Sequence, residues 1–143
     1  MKPISRFAPW INRLVLAAAT FIFTMIGARY IANPVGVSAG MGVSLNSSLA
    51  ITTTRVGFGA FPLSFAIFSF LCLLSPRRLR TGVSLVAVVI ATAIVVRLVG
   101  TAADGAVTES IRLFIPEGVI LLLSAAGLLL GTPQPQHHSG GVA

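Results

Sequence analysis

The run GVSLVAVVIATAIVVRLVG, Gly82 to Gly100, constrains this chain more than any other feature. It holds one charge and is as long as the ~20 residues a helix needs to cross a hydrocarbon core. Three further runs match it, at about Trp10–Tyr30, Leu49–Leu74 and Ile111–Leu130. Each is apolar on most faces, the pattern of helices solvated by lipid, where every backbone group must be bonded within its own segment. Only 9% of the 143 residues are charged and 55% are hydrophobic. A soluble domain carries about 25% charged residues, so a water-facing fold of this size could not hide so much apolar surface. The reading is an all-α integral membrane protein, a four-helix bundle over residues 1–131, followed by a disordered tail at 132–143.

Several alternatives fall on chemical grounds. Period-two alternation, the mark of a membrane β-barrel, is missing. The first run is read as a retained helix and not a signal peptide, because cleavage after Ala28 or Ala32 would put Ile26 or Tyr30 where a small residue is needed. The net charge of +7 does not point to nucleic acid, since no basic stripe carries interleaved aromatics. Cys72 is the one cysteine, which rules out an intramolecular disulfide and suits a small buried side chain. His137 and His138 sit in the tail, so no histidine offers a haem or metal ligand inside a span. The serines and threonines lack a histidine base for a triad. GFGAF lies inside an apolar helix and is no dinucleotide fingerprint. No catalytic residue, metal or cofactor is expected.

The connections set the orientation. Lys2, Arg6 and Arg13 flank the start of the first span, and SPRRLR brings Arg77, Arg78 and Arg80 between the second and third. Four spans put all six on one side, which the positive-inside rule assigns to the cytoplasm together with both termini. The opposite side receives Asn33–Ser48, an uncharged segment rich in Gly, Ser and Asn that reads as an irregular loop. It also receives Thr101–Ser110, a short acidic loop with a D-G turn signal. Arg29 is an interfacial anchor at that end, while Trp10 and Tyr30 mark opposite interfaces of the first helix. The expected location is the bacterial inner membrane.

Charges within the spans are the candidates for a site. Arg55 lies about six residues into the second span, roughly 9 Å below its outer end at 1.5 Å per residue. Arg97 is near the outer end of the third, and Glu117 about six residues into the fourth. All three therefore share the outer half of the bilayer. An intramembrane charge costs on the order of 3 kcal/mol, so such groups turn inward and find partners. Glu117 is the one acid inside a span and the natural counter-ion for Arg55 and Arg97, with Asp104 closing the cluster from above. Thr52, Arg55, Gly59, Pro62, Ala66 and Ser69 fall on one helical face. Gly57 and Gly59, like Ser124 and Gly127 beside Glu117, are small residues that permit close helix packing. Pro62 removes a backbone donor and predicts a kink below Arg55.

RVGFG (Arg55–Gly59), RLVGTAADG (Arg97–Gly105), PEG (Pro116–Gly118) and GARYIANP together resemble a bacterial family of small four-helix membrane proteins. It is number forty-three forty-five of the domain-of-unknown-function series. The resemblance covers about Ile11 to Leu130. It implies that Arg55, Gly57, Gly59, Arg97, Asp104, Gly105 and Glu117 belong to a family pattern, and it implies no activity. A looser likeness in size and span count is to the DoxX-type membrane proteins, some linked to quinone-dependent oxidation. The leading expectation is a non-enzymatic membrane protein whose Arg/Glu cluster takes a small anion or lipid head group. One alternative is an accessory or assembly subunit of a membrane complex, with a second copy or another membrane protein as partner. The other is a quinone-linked redox protein, weakened by the lack of in-span histidines.

Overall fold

In a computed structural model, residues 7–105 and 107–130 are described, and within them the side chains of residues 107–110 and 112 are not. The proposed tail lies outside the described residues. Among the described residues every regular element is a helix, with no strand. Its elements are α1 (Ala8–Ala32), α2 (Pro34–Ala39), α3 (Ser48–Leu73), α4 (Leu79–Asp104) and α5 (Val107–Leu130). Helices α1, α3, α4 and the Leu113–Leu130 part of α5 are each long and apolar enough to cross a membrane.

Local chemistry sets the helix ends. Pro9 opens α1, where its missing N–H is one of the unbonded first-turn donors anyway. Asn33 ends α1 and caps α2: its Oδ1 accepts the Gly36 N–H at 2.9 Å, and Pro34 follows at the first helical position. The segment read as an irregular loop therefore begins with a short helix. The small polar composition concealed an Asn-Pro start signal. Ser47 caps α3 by accepting the Ala50 N–H at 3.1 Å. Helix α4 extends through Asp104, so most of the predicted acidic loop is helical. Helix α4 ends at Gly105, whose φ of +74° is left-handed and whose N–H reaches the Thr101 carbonyl.

α3 is not a regular helix. Arg55–Ala60 forms a π-helical turn in which the Phe61 N–H reaches back five residues to the Val56 carbonyl. Pro62 explains it. Proline has no N–H and its ring crowds the carbonyl four residues earlier, so the preceding turn widens. The expected kink is a change of helical pitch. One extra residue in a turn rotates everything beyond it by roughly 100° relative to a continuous α-helix. The predicted stripe breaks there: Gly59, Ala66 and Ser69 are buried, whereas Thr52 and Arg55 are exposed.

Helix α1 is central, packing against α3, α4 and α5, and α4 packs along α5. Helix α1 runs antiparallel to α3 and α5 and parallel to α4. Asn12 meets Gly127, Leu16 lies near the Gly82–Cys72 contact, and Gly27 and Ile31 meet Gly59. The tightest packing is at the end carrying the N-terminus. Val15, Leu16 and Ala19 of α1 join Cys72 of α3 and Leu79, Val83, Val86 and Ile90 of α4 there. Gly82 makes that density attainable, since a Cβ would stand 2.6 Å from the Cys72 Cβ. Large apolar side chains such as Phe21, Phe61, Phe68 and Leu122 point outward, the arrangement lipid favours. Thr20, Ser64 and Ser124 donate their hydroxyls to carbonyls four residues back, so these polar atoms need no outside partner.

Candidate functional site

Toward the distal end, opposite the N-terminus, α4 and α5 are joined by a charged pair. Arg97 Nη2 donates to Glu117 Oε1 at 2.6 Å and Nε donates to Oε2 at 3.2 Å. A planar guanidinium and a carboxylate meet edge to edge in this way, which fixes both distance and rotation of the two helices. The side chains retain 29% and 17% exposure respectively. Both carboxylate oxygens are engaged, so the pair is neutral as a unit.

The structure does not bring the other two candidates to this pair. Arg55 is exposed and makes no ion pair among the described residues. The reason lies in the order of the helices. The π-turn packs on α1, and α3 makes no substantial contact with α5. Equal depth in the membrane thus did not mean proximity. Asp104 is exposed, with Oδ2 lying back along its own helix near Gly100. The four-membered cluster is corrected to Arg97 and Glu117.

The small residues divide in the same way. Gly59 is buried at a crossing with α1, where a Cβ would come within 2.7 Å of Ile31, and Gly27 opposite it would bring a Cβ 2.8 Å from the Gly59 carbonyl. Ser124 and Gly127 are buried and Pro62 is half-buried. Gly57 is exposed with nothing within 4 Å, so it is no packing residue. Gly27, Gly82 and Asn12 are contacts that sequence reasoning missed. Asn12 is buried, and its Oδ1 has no hydrogen-bond partner among the described residues. That oxygen faces Gly127, where a Cα–H is the weak donor available. The signal for Asn12 was an amide one turn inside an apolar helix.

Beside the Arg97–Glu117 pair lies a cavity of about 320 Å³ between α1, α4 and α5. Ile22, Phe23, Val89, Ala93 and Ile120 contribute to its apolar wall, and among the described residues Glu117 is the one charged residue lining it. Pro116, also in the lining, deprives the residue-112 carbonyl of its helical donor at this level. Ile26 and Leu113 are shared with a second cavity of about 510 Å³ at the distal end. The second cavity is lined by Arg29, Tyr30 and the α2 segment. Tyr30 is buried and does not anchor an interface: its ring stacks on Phe58 at 5.3 Å and its hydroxyl donates to the Met41 sulfur at 3.6 Å. Arg29 is exposed in the last turn of α1. Among the described residues no group of three or more His, Cys, Asp and Glu is placed to hold a metal ion.

The architecture is that of a small helical protein with four membrane-length helices. Its sequence matches the family described as Domain of unknown function (DUF4345) over residues 11–126, and the chain belongs to that family. No curated protein and no solved structure matches it.

Proposed function

We propose that this multi-pass membrane protein accommodates a hydrophobic guest in the cavity between α1, α4 and α5, with the Arg97–Glu117 pair holding two of the three walls in register. One observation carries the reading: an apolar cavity of about 320 Å³ adjoins a larger one at the end of the helices, through shared residues Ile26 and Leu113. Sites for small molecules are concave, mostly apolar, and fall between helices in helical proteins. An Arg/Glu cluster that itself seizes a free anion is less favoured by this geometry, because the carboxylate already neutralises the guanidinium. The same reading puts the end carrying Arg13, Arg77, Arg78 and Arg80 in the cytoplasm of a bacterial cell, the side on which positive residues collect.

The test is native mass spectrometry of the protein released from mild detergent, comparing the natural chain with Ala93→Phe. Ala93 lines the cavity, and a phenyl ring would occupy it. A retained lipid or other amphiphile on the natural protein, lost from the folded variant, supports the reading. Identical adducts on both, or none on either, count against it.

A further inference from the structure

The two adjoining cavities differ in chemistry. The inner one is apolar apart from the neutralised Glu117, whereas the outer one has a cation at its wall. Arg29 sits there with Tyr30, Gly36 and Met41, and it also lines a smaller recess with Asn33 and Val37. Among the described residues no acidic side chain lines either outer space and Arg29 makes no ion pair. The carboxyl end of α1 contributes a partial negative charge there, worth less than a formal one.

Resting on the guest-binding reading above, we infer that the guest is an amphiphile with one apolar chain and an anionic head, the chain in the inner cavity and the head on Arg29. Charge complementarity selects the head. A carboxylate or phosphate would receive two parallel N–H donors from the guanidinium, which a neutral head could not exploit as well. Size selects the chain. At about 320 Å³ the inner cavity is near the lower limit of ~300 Å³ for ligand sites, room for one tail and not two. Ile26 and Leu113 border both spaces, which places the tail and head sites side by side. Arg97 is set aside as the head-group cation because Glu117 neutralises it and it lines none of these three spaces. Arg55 does not line any of these three spaces.

The experiment measures binding of three probes to the full chain in nanodiscs of zwitterionic lipid: oleate, oleoyl lysophosphatidate and neutral monoolein. Proteins compared are the natural chain, Arg29→Gln, Arg55→Gln and Ala93→Phe, each checked for helicity by circular dichroism. A preference of about tenfold for the anionic probes over monoolein, which one charge-assisted contact can supply, is expected for the natural chain. It should persist in Arg55→Gln and vanish in Arg29→Gln, while Ala93→Phe weakens all three probes. If only one anionic probe shows the preference, carboxylate and phosphate sources are told apart and the anionic assignment stands. Equal binding of neutral and anionic probes overturns the inference, and so does a preference that survives Arg29→Gln. In either case the guest-binding reading stands if Ala93→Phe still weakens binding. If Ala93→Phe folds and weakens nothing, the guest-binding reading fails as well. Should Ala93→Phe not fold, Ala93→Leu supplies the same comparison with a smaller side chain.

Discussion

Replacing Glu117 with leucine leaves the Arg97 guanidinium beside an apolar wall with neither of its two bonds to the carboxylate, at 2.6 and 3.2 Å. The cost lies between two limits. Removing one partner of a fully buried pair costs ~3–5 kcal/mol, and exposed pairs contribute ~0–1 kcal/mol. With 29% and 17% side-chain exposure, this pair sits nearer the buried limit, and about 2–3 kcal/mol is expected. Glu117→Gln keeps one oxygen acceptor of the same size and should cost about half as much. The double replacement Arg97→Met with Glu117→Leu removes both charges together and should return to within about 1 kcal/mol of the natural protein, since apolar substitutes for a whole buried pair are often neutral. Reversible unfolding in mixed micelles, driven by increasing sodium dodecyl sulfate and followed by far-ultraviolet circular dichroism, reads these differences. The non-additivity of the cycle is the decisive quantity. Single and double replacements that simply add would refute the idea that the two side chains act as one interhelical lock.

Other consequences can be checked in the same assay. Arg55→Gln should change stability by less than about 0.5 kcal/mol, as for most exposed positions, because Arg55 is exposed and makes no ion pair. Gly59→Ala and Gly27→Ala each force a Cβ into the opposite helix and should each cost about 1–3 kcal/mol by overpacking. Gly57→Ala meets open space and should be tolerated within about 0.5 kcal/mol. Gly127→Ala drives a methyl onto the Asn12 amide and should cost about 1–3 kcal/mol. Adding Asn12→Ala should relieve most of that loss, and no relief would mean that the two residues are not in contact.

The spans were legible because apolar length is a local property. Each predicted run lies inside a long helix to within a residue, although Thr101–Asp104 proved helical and α4 ends only at Gly105. Depth was legible too, as counting from the span ends put Arg97 and Glu117 at one level. What a one-dimensional count does not encode is the order of helices around α1. That order, and not depth, separates Arg55 from Glu117. Phase was also lost at Pro62. A stripe drawn at 3.6 residues per turn carries through a proline only if the helix keeps its pitch, and the π-turn at Arg55–Ala60 breaks it. Gly27 and Gly82 were invisible as packing residues because a glycine shows its purpose only when the atoms opposite it are known. The cavities depend on three helices at once and had no signature in any single segment.

The most direct measurement is photo-crosslinking in native membranes with a diazirine-bearing fatty acid, followed by peptide mapping. The account predicts adducts on the inward residues of α4 and α5 that line the cavity, such as Val89, Ala93 and Ile120, with their loss in Ala93→Phe. Adducts confined to outward residues such as Phe68, Val96 and Leu122, and equal in the natural protein and the variant, would contradict it.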